Sequence, residues 1–204
     1  MKTSLLLCLT LISAQLFCQT DKSITMTATA ELPYRQIPDA PDAYNACTVV
    51  ARMIDGLGFR YYWATDSLRA EDLAYKPSED ARTSAETLDH VFSMSQTILN
   101  AVHQMPNVRQ PIPPGMPFEE KRRLTLMRFK EASDVLKASS PEAIENFKII
   151  FQSDEKRTEY DFWFLINGQI SDSLWHVGQI VSFRRASGNP INPLVNVFQG
   201  RLMD

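Results

Sequence analysis

The sequence predicts an all-α protein: an antiparallel four-helix bundle with extra short helices and irregular N- and C-terminal segments. Three observations predict it. Long stretches place apolar residues at helical spacing, as in Leu88, Val91, Phe92, Ser95, Leu99 and Val102. Proline-rich connections separate those stretches, the densest holding Pro106, Pro111, Pro113, Pro114 and Pro117. Strand signals are few, and the longest helices are joined by connections that suit a bundle.

The first 18 residues read as a leader. Lys2 precedes the apolar run Leu5–Ile12, and a short polar cleavage region follows. Cleavage after Cys18 is expected, giving an exported chain that is periplasmic or extracellular. A lipoprotein signal at Cys18 fits less well, because bulky Phe17 stands where such processing favours small residues. Residues 19–41 are polar, carry Pro33, Pro38 and Pro41, and read as an extended lead-in. The folded domain is expected over 42–204.

Within that domain a first helix is expected from about Asp42 to Ser67, weakened by Gly56 and Gly58. Pro77 prevents a continuous helix through the connection 68–82. Thr83 and Glu86 have the spacing of a capping box, so a second helix should run from there to about His103. A third is expected from Phe118 to Ala138. Ser140-Pro141 opens a short helical segment carrying Ile144, Phe147, Ile150 and Phe151. The aromatic run Glu159–Asn167 is read as helix, with a lone strand as runner-up, and its aromatics as core. The last helix spans about 170–187, with Arg184 and Arg185 in its final turn, Gly188 as cap and Pro190 as stop. Trp175 on that helix also reads as core. The tail 189–204 reads as an irregular closing segment.

Bulk properties exclude some functions. The net charge is −3 and no Lys/Arg block stands out, so nucleic acid is a poor partner. No segment after the leader is long and apolar enough for a transmembrane helix. A small-molecule substrate or ligand is the expected partner, and a homodimer is compatible with a helical bundle. Cys47 is the one cysteine clearly inside the mature domain, so no internal disulfide is available there. Its apolar helical setting favours a buried structural thiol over a nucleophile.

The chemistry concentrates on few residues. The chain has three histidines, His90, His103 and His176. Asp172 lies four residues before His176, which puts both on one helix face, and Gln179 lies on the same stripe. His90 sits early on a different helix. Two imidazoles and a carboxylate would make a three-ligand divalent-metal site with open positions. The bland alternatives stay open: hydrogen-bonded core histidines, and an Asp172 that only complements a helix dipole. His103 reads as a surface residue near a helix end. Gln179 is either an orienting group or merely solvated. Arg184 and Arg185 read as helix-end cations with surface ion pairs, or as an anion site. No G-x-S-x-G, H-E-x-x-H or C-x-x-C element is present.

The stretch FRYYWATDSLRAEDLAYKPSEDARTSAETLDHV resembles the first part of the DinB/YfiT-like superfamily of bacterial helical-bundle proteins. The stretch DSLWHVGQIVSFRRASGNP resembles its last bundle helix. The resemblance implies a metal site of three histidines, one on the second helix and two, four residues apart, on the last. His90 matches the first and His176 the last, while Asp172 stands where the middle histidine is expected. A His90–Asp172–His176 set implies Zn, Ni, Fe or Mn as the divalent ion. Relatives include thiol-dependent S-transferases and maleylpyruvate isomerase-like members. The resemblance thus implies a metal-dependent hydrolase or group transferase; the alternative is a non-catalytic ligand- or protein-binding bundle with a degenerate site.

Overall fold

The computed structural model describes residues 31–203. The leader expected over 1–18 and most of the lead-in lie outside them. Among the described residues there are six α-helices: α1 (Ala46–Thr65), α2 (Ala70–Ala74), α3 (Ser84–Val102), α4 (Phe118–Ala138), α5 (Phe162–Leu165) and α6 (Ser171–Ala186). Five short strands accompany them: β1 (Pro106–Val108), β2 (Lys148–Gln152), β3 (Arg157–Asp161), β4 (Val195–Asn196) and β5 (Arg201–Leu202). The described residues are therefore mostly helical with two small sheets, and the all-α expectation needs that correction.

The four long helices pack in a ring: α1 on α4, α4 on α3, α3 on α6, and α6 on α1. Each buries an apolar stripe at its centre, with Ile54, Leu57 and Tyr61 from α1 and Val91 and Ile98 from α3. Leu126, Phe129 and Leu136 enter from α4, and Val177 and Ile180 from α6. Tyr61 and Phe129 meet edge to face, their centroids 6.1 Å apart. No helix of the described residues is long and apolar enough to cross a membrane.

Helix starts follow local capping. Thr83 Oγ1 accepts from the Glu86 amide at 3.2 Å, and Glu86 Oε2 accepts from the Thr83 amide at 2.8 Å, closing the expected box. α1 begins at Ala46 rather than near Asp42, because Asn45 and Thr48 form a reciprocal cap of the same kind. Gly58 does not interrupt α1, which runs unbroken from Ala46 to Thr65. A Cβ there would fall 2.5 Å from the Tyr34 ring, so glycine makes room for that ring. Tyr34 is buried and its hydroxyl donates to Asp55 at 3.1 Å, which docks residues 32–36 on α1.

The segment after α4 departs from the expected helices. Pro141–Glu145 forms a 3₁₀ turn, and residues 148–152 then become a strand. β2 lies between β1, to which it is parallel, and β3, to which it is antiparallel. Its β-branched Ile149 and Ile150 are both buried, a pattern a strand satisfies when elements cover both of its faces. Residues 159–161 are likewise strand, and the helix begins only at Phe162. Because α5 is one turn long, it buries Phe162 and Leu165 and turns Trp163 (76% exposed) and Phe164 to solvent. Trp175 and Tyr160 are also exposed, so the expectation of core aromatics holds for Phe162 and is overturned for Tyr160, Trp163, Phe164 and Trp175.

A π-helical turn, Ile166–Ile170, joins α5 to α6 and contains Gly168. It carries one extra residue per turn and so rotates the α6 stripe by about 100° relative to a continuous α-helix. α6 ends as expected, with Gly188 at φ +82° following the cap.

Candidate metal centre

Two helices build the site. α3 carries His90 in its second turn, after the Thr83 cap has set the helix phase. α6 carries Asp172, His176 and Gln179 on one stripe, and α3 packs directly against α6. One turn further along this stripe Phe183 packs against Tyr75, at a centroid distance of 5.7 Å.

The three candidate ligand residues converge. His90 Nε2 lies 3.3 Å from Asp172 Oδ2, and His176 Nε2 lies 3.5 Å from Asp172 Oδ1. The two imidazoles meet edge to face with centroids 5.0 Å apart. One donor atom from each residue falls within 4.8 Å of the other two, so the group could hold a metal ion. His90 and Asp172 are about two-fifths exposed, whereas His176 is only 15% exposed. The donors therefore line an opening rather than a sealed core.

The donor set fits a divalent cation. Ligand atoms about 2.0–2.2 Å from one tetrahedral ion are separated by about 3.3–3.6 Å. The two carboxylate-to-imidazole distances have that length, one to each oxygen of Asp172, and one donor atom from each residue lies within 4.8 Å of the others. His176 Nδ1 is 2.7 Å from Gln179 Oε1, so with the ring proton donated there Nε2 presents a lone pair. A lone pair facing a carboxylate oxygen is an electrostatic mismatch that a cation resolves.

The dipole role weighed for Asp172 weakens in this setting. Ile170, before α6, is itself helical, so Asp172 does not sit at a free helix N-terminus. His103 is a surface residue whose Nε2 pairs with Glu131 at 2.8 Å. Cys47 is buried, its Sγ donates to the Ser140 carbonyl at 3.3 Å, and burial pushes the thiol pKa up. That is a structural thiol. Arg185 is exposed.

Arg184 is neither a surface cation nor an anion site. It is buried, and its Nη1 donates to the carbonyls of Trp63, Ala64 and Asp66 at 3.0–3.1 Å, satisfying the C-terminal end of α1. Beside it lies a fastening that sequence reasoning missed. The buried Asp72 carboxylate accepts from Arg69 Nε, Nη2 and backbone N at 2.8–2.9 Å, and from Ser187 Oγ and Asn189 Nδ2 at 2.6 Å. Arg69 holds the Asp72 carboxyl well below the usual range, and Ser187 and Asn189 add to this against the opposing effect of burial. The spacing Arg69-x-x-Asp72 was the available signal; its partners 115 and 117 residues away were not.

No protein-family model and no curated protein matches the sequence. Among solved structures, the chain is similar to the crystal structure of a DinB-like protein, YjoA, from Bacillus subtilis. The TM-score is 0.54 at 14% identity, over 75% of this chain and 99% of that one. The likeness shows a DinB-like fold.

Proposed function

We propose that His90, Asp172 and His176 bind a divalent cation, and that the chain is a metal-dependent hydrolase or group transferase acting on a small molecule. The convergence of three donor residues from two helices carries this reading. The DinB-like fold and the four-helix arrangement of α1, α3, α4 and α6 support it. Export through the leader read in residues 1–18 belongs to the same proposal.

Two neutral imidazoles and one carboxylate suit Zn, Ni, Fe or Mn. Such an ion, when bound, supplies Lewis acidity that activates a nucleophile or polarises an electrophile. The rest of the work falls to the protein. Asp172 brings the negative charge that draws a cation to the opening. His176, the least exposed donor, anchors the set from α6, and His90 closes it from α3. The exposed sides of His90 and Asp172 leave the approach open to a small substrate.

Metal content of protein purified without chelator tests the reading. One divalent ion per chain is expected in the wild type, with loss in His90→Ala and His176→Ala. A metal-free wild type, or variants that keep a full complement, refutes it.

One observation favours a second reading. Among the described residues, no further His, Cys, Asp or Glu joins the three donors. A non-catalytic bundle that binds a ligand or a protein partner would need none. Metal-dependent turnover on a panel of esters, thiols and phosphoesters, abolished by chelator, decides against that alternative.

A further inference from the structure

Gln179 lies one turn after His176 on α6, and its Oε1 is 2.7 Å from His176 Nδ1. That is the length of a full hydrogen bond. An amide oxygen only accepts, so the ring must donate the proton from Nδ1. A neutral imidazole has a single N–H, which leaves the lone pair on Nε2.

The contacts of the second nitrogen agree. Nε2 is 3.5 Å from Asp172 Oδ1, long for an N–H···O bond. The opposite amide orientation would make Nδ1 the acceptor and leave the Nε2 proton aimed across that long gap. With only 15% of its side chain exposed, His176 has little water to satisfy Nδ1, so a protein partner there matters.

We infer that Gln179 is a positioning residue for His176: it holds the ring in the Nδ1–H tautomer and keeps the Nε2 lone pair turned toward Asp172 and His90. The purpose of this arrangement rests on the metal reading above, but the tautomer is a property of the metal-free chain. Without Gln179 the ring samples both tautomers and rotates about its side-chain bonds. Only the fraction with Nε2 free and correctly aimed can take a cation, so the apparent affinity falls by that fraction.

Two measurements on the full chain test this. Long-range proton–nitrogen correlation spectra of metal-free protein, recorded about two pH units above the ordinary His value of about 6.5, report the tautomer. His176 is assigned with His176→Ala. The wild type and Gln179→Glu, which keeps an acceptor oxygen, are expected to show the Nδ1–H pattern. Gln179→Leu is expected to lose it. In competition titrations with zinc, Gln179→Leu is expected to bind about 10–100-fold more weakly, with Gln179→Glu restoring most of the loss. A wild-type ring protonated on Nε2, or a Gln179→Leu spectrum identical to the wild type, overturns the inference. A wild type that holds the Nδ1–H tautomer yet binds no zinc refutes the metal reading and leaves the tautomer assignment standing.

Discussion

Asp172 Oδ2 lies 3.3 Å from His90 Nε2, although 82 residues separate the two in the chain. Asp172 also reaches His176 through its other oxygen, at 3.5 Å. One carboxylate thus spans both imidazoles. Asp172→Ala should therefore lower zinc affinity at least as much as a lost supporting residue does, by about 10–100-fold or more. Asp172→His should keep binding and shift preference toward softer ions. Competition against a chromogenic chelator measures both.

Bound metal should raise stability by mass action. At a free zinc concentration of about 100 times Kd, the wild type should gain about 2.7 kcal/mol. Thermal melts with and without chelator should show a gain in the wild type and none in His176→Ala.

The Asp72 cluster ties α2 to the end of α6. Asp72→Ala removes the acceptor for five donors, three from Arg69 and one each from Ser187 and Asn189. A loss of about 2–3 kcal/mol in urea unfolding is expected, since hydrogen bonds to a charged acceptor are lost and the donors remain.

The same carboxylate predicts a pH dependence. Its pKa is depressed in the folded chain, first by the Arg69 guanidinium, relative to about 3.9 unfolded. A depressed carboxyl contributes its full stability above the unfolded value and loses it as pH falls toward the folded one. Wild-type stability should thus fall as pH drops below about 4. Asp72→Asn, less stable at pH 7, should show a shallower decline over that range. Urea midpoints at pH 7, 4 and 3 test the sign.

Two glycines in α1 should respond oppositely to alanine. A Cβ at Gly56 meets only Arg60 Nη1, at 3.3 Å, the far end of a long side chain that can shift by a few tenths of an ångström, so Gly56→Ala should stabilise by up to about 1 kcal/mol. A Cβ at Gly58 falls 2.5 Å from the Tyr34 ring. Gly58→Ala should destabilise by about 1–3 kcal/mol and free the ring, a change that near-UV circular dichroism reads directly.

Trp163 and Trp175 are both more than two-thirds exposed. Replacing either by serine should change stability by no more than about 0.5 kcal/mol, in contrast to a core tryptophan. Equilibrium unfolding of the two variants measures this.

Much of the helical frame was legible along the chain. The Thr83–Glu86 cap, the Gly188 stop and the period of α4 are local signals, set by capping chemistry and apolar spacing within a few residues. The small sheet was not legible. The short apolar run at 148–152 suits a buried strand or a helix equally well until β1 and β3 are known to flank it. The aromatic run misled for a related reason: hydrophobicity does not reveal which side of a one-turn helix faces the core.

The site divides along the same line. The sequence by itself placed Asp172, His176 and Gln179 on one face of α6, because a regular helix repeats every 3.6 residues. It named His90 as a partner from type and resemblance alone. Only the tertiary structure brought His90 across from α3 to 3.3 Å from Asp172, turned Gln179 onto His176, and drew Arg184 inward to the end of α1. These are contacts between segments about 80 to 120 residues apart, or choices among rotamers, decided by how helices pack and which polar groups burial leaves in need of a partner.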